Sequence, residues 1–319
     1  MSLSVVMITY NHEKFIKDAI EGVLMQKCDF NFELIISNDS SNDKTDSIIK
    51  EILDKHPRRD IVKYTKHQKN LGMIPNFEWA LKNAIFDYIS ICEGDDVWTD
   101  EFKLQKQVDI LEKNNSVGLV YANYNVIDSE SRIIKKQKYE KLMPSGIVFN
   151  EILTGAFPYP LTVCFRKTLM DDLNTYMKPH YLMGDFPLFL HLANKSEFYY
   201  LNDVVASYRR HDTSVTANAN SYKKRILFND SWITILKDFL SREKIKDQVL
   251  LETSKQQIFL RTKNSFEIAV NNNDKDKAKY YWVLLKKSGV PINIKSYLMF
   301  LISKLPFNFF QLYNNLKTS

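Results

Sequence analysis

Tyr88-Ile89-Ser90-Ile91-Cys92-Glu93-Gly94-Asp95-Asp96-Val97-Trp98 runs from an apolar segment directly into three carboxylates and then an indole. Tyr88 to Cys92 is predicted as a short buried strand, being apolar and bounded by turn-forming residues. Open α/β sheets bind ligands at the carboxyl ends of their strands, which is where Glu93, Asp95 and Asp96 would fall. Three carboxylates within four positions cannot all stay charged without a cation between them. Oxygen ligands alone suit Mg2+ or Mn2+, and Mg2+ commonly also takes phosphate oxygens from a substrate. An acidic turn that caps the next helix is the other reading of the same residues.

On the amino-terminal side, Leu3-Ser4-Val5-Val6-Met7-Ile8 reads as a buried central strand ending in Thr9-Tyr10-Asn11-His12. Phe15, Ile16, Ala19, Ile20, Val23 and Leu24 then recur at helical spacing to about Gln26. Phe32 to Ile36 is a second strand, followed by the polar run Ser37 to Asp43, with Asp43 placed to cap a helix carrying Ile48, Ile49, Ile52 and Leu53. Ile61 to Thr65 makes a third strand, and after the turn Asn70-Leu71-Gly72 a helix begins at Asn76. Strand and helix alternate, so the sheet is expected to be mainly parallel with right-handed crossovers. Three polar strand ends would then share one edge: Thr9 to Asn11, Asn38 to Ser41, and Glu93 to Asp96. A nucleotide lying there would meet an aromatic face at Tyr10 and an acceptor for a base N–H at Asp39. The chain has only eight glycines and neither the Gly-x-Gly-x-x-Gly nor the Gly-x-x-x-x-Gly-Lys-Ser/Thr pattern, so a metal must carry the phosphate.

Further along, a helix from about Glu101 to Asn114 leads to a buried strand at Val117 to Tyr121. Residues 124–146 are polar and rich in lysine, which suits a hairpin or mobile loop over the site. Thr162 to Phe165 is a strand and a short helix follows from Lys167. Asp185 stands at the start of a helix that is otherwise apolar for two turns, where an N-cap is the plain reading. Beyond Ser221 the pattern is helical, broken at Asn271-Asn272-Asn273-Asp274. The tail from Ile294 to Leu316 mixes aromatic and aliphatic residues with lysines, and either packs on the catalytic domain or rests on an anionic membrane.

Composition narrows the classes. At 319 residues, with 45% hydrophobic and 13% aromatic content, the chain can bury a large core. The net charge of +6 is spread rather than blocked, which argues against nucleic acid as a partner. Cys28, Cys92 and Cys164 have no metal-type spacing and read as reduced thiols. With no leader pattern and no bilayer-length apolar run, the expectation is a cytoplasmic protein, peripheral on the inner membrane face if the tail makes that contact.

Taken together, these motifs resemble the inverting glycosyltransferases of family 2, with the GT-A fold. Ser4 to Asn11 is similar to that family's first strand and nucleotide-contacting turn. Ile36 to Thr45 resembles its DDGSTDxT segment, with Asn38 for the first Asp and Ser40 for Gly. Asn70-Leu71-Gly72 with Asn76 matches its NxG…N element, and Glu93 to Trp98 resembles its DxD region with Glu leading. Tyr208-Arg209-Arg210-His211-Asp212-Thr213-Ser214-Val215-Thr216 is similar to its YRxHxxSxS closing segment.

The resemblance implies a nucleotide-diphospho-sugar transferase: a Rossmann-like, mainly parallel sheet flanked by helices over residues 1–216, with nucleotide-binding (about 1–100) and acceptor-binding (about 101–216) halves, then a helical region at 217–319. It places Thr9, Tyr10, Asn11, Asp39, Asn70, Asn76 and Asp95 on the nucleotide, and Asp95, Asp96 and His211 on Mn2+ or Mg2+. Asp185 occupies the position of the family's general base, and Arg209, Arg210 and His211 would steady the leaving diphosphate. Glu93 ranks below Asp95 and Asp96, while His12, His56, His67, His180 and His191 read as structural or surface residues. The expected reaction moves a sugar from a UDP-linked donor to a glycan or lipid-linked glycan hydroxyl in surface polysaccharide synthesis. The alternatives are a decayed, non-catalytic nucleotide-sugar-binding scaffold, which Asn38 and Glu93 favour, and a sugar-nucleotide pyrophosphorylase.

Overall fold

A computed structural model describes residues 1–139, 141–155, 158–170, 176–212 and 221–304, the side chain of Ile302 aside. The chain divides into two compact units, Met1–His211 and Asp212–Ser319. Thr213 to Thr216 of the closing motif and the tail beyond Lys304 lie outside the described residues.

The first unit starts as a strand-helix alternation: β1 (Ser2–Thr9), α1 (Ile16–Leu24), β2 (Asn31–Asn38), α2 (Thr45–Lys55), β3 (Val62–Lys66), α3 (Met73–Asn83) and β4 (Tyr88–Ile91). It continues with β5 (Val97–Trp98), α4 (Lys103–Lys113), β6 (Val117–Ile127), β7 (Ile133–Lys135), α5 (Phe149–Thr154), β8 (Cys164–Arg166), α6 (Asp185–Lys195) and β9 (Glu197–Arg209). The nine strands form one sheet in the order β3-β2-β1-β4-β8-β6-β9-β5, with β7 paired to β6. Leu3, Val5, Val6 and Met7 of β1 are fully buried, as a β-branched run covered on both faces should be. The apolar stripes of α1, α2 and α4 join β1 and β2 in one core through residues such as Ile20, Ile49 and Val108.

Strands β1 to β4 pair in parallel, as expected. The sheet as a whole is mixed, because β8 enters antiparallel between β4 and β6. β8 is reached through a hairpin and two short helical pieces rather than a single crossover helix, so nothing returns the chain to the opposite edge before it pairs. β9 pairs parallel with β6. β1, β2, β3, β4, β6 and β9 therefore run one way, and their carboxyl ends lie on one edge.

Several boundaries differ from the periodic reading. The helix after Gly72 begins at Met73, three residues before Asn76. Asp43 is not the N-cap of α2; it stands one residue earlier and accepts the Thr45 N–H at 3.0 Å. The strand at Val117 extends to Ile127, and Lys167–Met170 forms a short 3-10 turn where a helix was expected.

The second unit contains α7 (Tyr222–Glu243), α8 (Gln248–Asn271), α9 (Lys275–Lys287) and α10 (Ile294–Ser303). Asp247 caps α8 by accepting the Val249 and Leu250 N–H groups, and Asp274 caps α9 through the Lys277 N–H. Phe266, Trp282 and Leu285 are buried in its core, where Trp282 stacks on Phe300 at 4.5 Å. Among the described residues, no helix is long and apolar enough to cross a membrane.

Candidate active site

The loops that follow β1 and β2 are closed on each other by short polar contacts. The Asp39 N–H donates to the Thr9 carbonyl, Asn11 N–H to Ser41 Oγ, and Asn42 N–H to Asn11 Oδ1, each at 2.9 Å. Asn11 holds a left-handed backbone with φ 56°, a conformation its short polar side chain tolerates. The Asp39 carboxylate grips the turn before α3, accepting the Leu71 N–H at 2.6 Å and the Gly72 N–H at 3.0 Å. Gly72 adopts φ +89°, which a side chain would strain. Asn70 donates to the Asp39 carbonyl at 3.1 Å, and buried Asn76 accepts the Ser37 hydroxyl at 2.6 Å.

These contacts bear on the expected nucleotide contacts. Asp39, Asn70 and Asn76 are engaged in shaping the edge, although each Asp39 oxygen keeps a second lone pair for a ligand. Tyr10 is 42% exposed, with its ring accessible. Asn38, which stands where the family carries Asp, donates to the Tyr64 hydroxyl and accepts the Ser41 N–H. Its amide makes both bonds, whereas an Asp carboxylate could only accept.

The turn after β4 is differently built. Glu93, Asp95 and Asp96 each offer an oxygen within 4.8 Å of the others. Glu93 thus belongs to the cluster on equal terms, against its lower rank from sequence. Gly94 makes room: a Cβ there would stand 2.7 Å from Thr9 Oγ1 and 3.0 Å from His12 Nδ1. Asp96 is 1% exposed; its Oδ1 accepts the Arg209 N–H at 2.9 Å and its Oδ2 is buried with no partner. An unpaired buried carboxylate oxygen is costly, and a hard cation among acidic oxygens would remove that cost. The donor set fits Mg2+ or Mn2+.

The electrostatics agree with that crowding. Burial, then the charges of Asp95 and Glu93, push the Asp96 carboxyl well above the usual range. Burial with the charges of Asp95 and Asp185 raises Glu93 to about 8. Burial opposes the charge of Asp95 too, but His12 and His211 outweigh it and hold that carboxyl low. His211 Nε2 lies 3.0 Å from Asp95 Oδ2, and His12 Nε2 lies 3.9 Å from the same oxygen.

Asp185 is the first residue of α6, and its Oδ1 accepts the N–H of Phe186 at 2.8 Å. It is not the N-cap, a position held by Gly184. Partly accessible, it still lies deep enough for burial to raise its carboxyl to about 6. It is close enough to the acidic turn to act on Glu93 through space.

Arg209 departs most from expectation. Rather than facing a diphosphate, its side chain is 1% exposed. Nε donates to the Asp95 carbonyl at 2.9 Å, and the guanidinium reaches the Asp128 carbonyl at 3.3 Å, Ser131 Oγ at 2.8 Å and Asp18 at 3.2 Å. Phe15 lies 4.9 Å beneath it. Arg209 is therefore a brace behind the acidic turn, and exposed Arg210 is the cation of the pair open to a ligand. Sequence reasoning missed His12, Asp18, Asp128 and Ser131 as members of this assembly. Only His12, directly after Thr9-Tyr10-Asn11, carried a local signal; the others are ordinary helix-surface and turn residues brought in by the shared sheet edge.

Comparison with known proteins places the chain in a family. Residues 4–176 match the family model described as glycosyl transferase family 2. Over 225 residues the chain is 28% identical to the Escherichia coli UDP-Glc:alpha-D-GlcNAc-diphosphoundecaprenol beta-1,3-glucosyltransferase WfgD, covering 70% of this chain and 83% of that one. An uncharacterized protein of Mycobacterium bovis is 29% identical over 225 residues, covering 70% of this chain, and the matched stretch spans 63% of the relative's length. Among solved structures, S. aureus TarS 1-349 in complex with UDP-GlcNAc superposes with a TM-score of 0.57 at 17% identity, covering 90% of this chain and 89% of that one. A mannosyltransferase from Pyrobaculum calidifontis, in complex with GDP-Man and Mn2+, gives 0.54 at 12% identity, covering 98% and 86%. The chain belongs to glycosyl transferase family 2, and its mixed sheet with flanking helices is the GT-A fold.

Proposed function

We propose that this protein transfers a sugar from a nucleotide-diphospho-sugar to an acceptor hydroxyl, with inversion at the anomeric carbon, in the synthesis of a surface polysaccharide. The observation that carries the reading is the unpartnered Asp96 oxygen within an acidic cluster at the carboxyl edge of the sheet, in a chain of glycosyl transferase family 2. Glu93, Asp95 and Asp96 would hold a divalent cation, whose contribution is to neutralise charge on the donor diphosphate. Tyr10 stacks on the base and Arg210 faces the phosphates. Arg209 and the His12–His211 pair hold Asp96 and Asp95 in place behind them.

Asp185 acts as general base. A carboxyl at about 6 is ionised at neutral pH yet remains basic enough to take a proton from an alcohol in the transition state. As the acceptor oxygen bonds to the anomeric carbon, its proton passes to Asp185 and the bond to the diphosphate oxygen breaks. A UDP-linked donor is supported by the substrate in the name of WfgD and the ligand in the TarS complex, while the Pyrobaculum neighbour holds GDP-Man. A lipid-linked glycan acceptor is supported by the WfgD name alone.

The test is release of the nucleoside diphosphate from a panel of nucleotide sugars, with Mn2+ present or replaced by EDTA. Chelator-sensitive turnover of one UDP-sugar is the expected result. Absence of turnover and of thermal stabilisation by every donor would contradict the reading.

A further inference from the structure

The β6–β7 hairpin carries a surface that the reaction centre does not use. Side chains along a strand alternate between faces, so one of two neighbours ordinarily enters a core. Ile133 and Ile134 of β7 are instead 51% and 53% exposed, and Leu142, on the return from the hairpin, is 76% exposed. Five basic residues and one acidic residue lie between Arg132 and Leu142. Arg132 is neutralised within the turn by Asp128 at 2.8 Å and Glu130 at 2.9 Å, while Lys136 and Lys141 are exposed.

Lysines on an edge strand can simply discourage strand-to-strand association. Two adjacent exposed isoleucines work against that purpose, so the lysines need another account. A soluble polyanion would use the ammonium groups and leave the isoleucines idle. The surface of an anionic bilayer uses both, taking apolar side chains at the acyl boundary while its head groups attract the lysines.

The ribbon is also firmly built. Asp128 Oδ1 accepts the Glu130 and Arg132 N–H groups, Gln137 N–H donates to Asn125 Oδ1 at 3.1 Å, and Lys138 N–H donates to the Tyr124 carbonyl at 2.7 Å. Little further ordering is needed on docking. Arg209 bonds both to this turn, at Asp128 and Ser131, and to the acidic turn, at Asp95.

We propose that Ile133, Ile134, Lys136, Lys141 and Leu142 form a docking surface for an anionic membrane. The acidic cluster, tied to the hairpin by Arg209, then stands at a fixed offset from the lipid surface, where a lipid-linked acceptor would present its hydroxyl. That consequence rests on the transferase reading; the docking surface itself does not, and its test needs no turnover.

The experiment is co-sedimentation of the full-chain protein with phosphatidylcholine vesicles, with and without phosphatidylglycerol, at low and high salt. Wild type is expected to bind the phosphatidylglycerol vesicles and to be released by salt. K136Q/K141Q should lower partitioning by roughly five-fold per lysine. I133S/I134S should lower it by roughly ten-fold or more in total. Both variants should keep the melting temperature of wild type. Absence of phosphatidylglycerol-dependent binding in wild type overturns the proposal, as does wild-type binding by I133S/I134S. If I133S/I134S only turns a dimer into a monomer and binds vesicles as before, the surface is a self-association edge and the proposal is likewise overturned.

Discussion

The loop after β2 and the turn after β4 are both acidic and lie on the same sheet edge, yet they spend their carboxylates in opposite ways. Both oxygens of Asp39 accept backbone N–H groups from Leu71 and Gly72, so that carboxylate is part of the scaffold. Asp96 has one oxygen held by the Arg209 N–H and the other buried without a partner. Buried polar atoms are nearly always paired, and this unpaired one lies inside an acidic cluster that a cation would complete. A satisfied carboxylate builds an edge, and an unsatisfied one waits on that edge for something to bind. Acidity alone does not separate the two loops; the fate of each oxygen does.

The largest effect that sharpens this contrast belongs to Asp185, the carboxylate across from the acidic turn. Asp185→Asn should leave folding and donor binding intact and reduce transfer by roughly 10^2- to 10^4-fold in a steady-state assay. In wild type, transfer should fall as pH drops below about 6, because a base must be deprotonated to act. Turnover of Asp185→Asn near the wild-type level would remove Asp185 from the mechanism.

Arg209 comes next, since it holds the acidic turn twice, by its backbone N–H to Asp96 and by its side chain to the Asp95 carbonyl. Arg209→Met leaves the Asp95 and Asp128 carbonyls and Ser131 Oγ without their donor, and should cost roughly 3 kcal/mol in urea denaturation. A loss below about 1 kcal/mol would mean the brace is slack. Asp39→Ala should cost about 2 kcal/mol, as it orphans the Leu71 and Gly72 N–H groups. If Asp39→Ala kept its stability but lost donor binding, Asp39 would belong with the ligand-binding carboxylates and the contrast would fail.

The last effect is spread over a range of pH rather than seen at one pH, and concerns a buried charge that neither loop uses. Lys103 donates to Ser90 Oγ and Gln107 Oε1, lies 3.9 Å from the Trp98 ring, and is pushed by burial down to about 7. Between that value and the ordinary 10.5 the unfolded chain binds the extra proton, so stability should rise with pH in this window. The gain attributable to Lys103 is at most about 1.4 kcal/mol per pH unit, is fully lost below about 7, and should vanish in Lys103→Met. An unchanged slope in that variant would show that Lys103 titrates normally.

Much of the fold could be read from the chain alone, and the reason is local. β1, β2 and β4 are β-branched or apolar runs ended by polar turns, and α1 carries its apolar face at strict helical spacing. β8 was legible as a strand, but its antiparallel direction depends on how the chain returns from the hairpin. Candidate site membership was readable where chemistry is concentrated, at Glu93 to Asp96, with Asp185 close enough to act on Glu93. It was not readable where a residue's job is set by a distant partner. An arginine at a strand end looks the same whether it meets a phosphate or, as Arg209 does, Asp95, Asp128 and Asp18. Asn38, which looked like a loss against the family pattern, is accounted for by its bonds to Tyr64 and Ser41.

The most direct measurement is Mn2+ binding to the protein without donor, followed by the loss of the free-ion paramagnetic resonance signal, for wild type and Asp96→Asn. Wild type should bind Mn2+ and release it to EDTA, and Asp96→Asn should bind at least about 10-fold more weakly while staying folded. Equal affinity in the two proteins would contradict the central claim, because the orphaned oxygen would then not be where a cation sits.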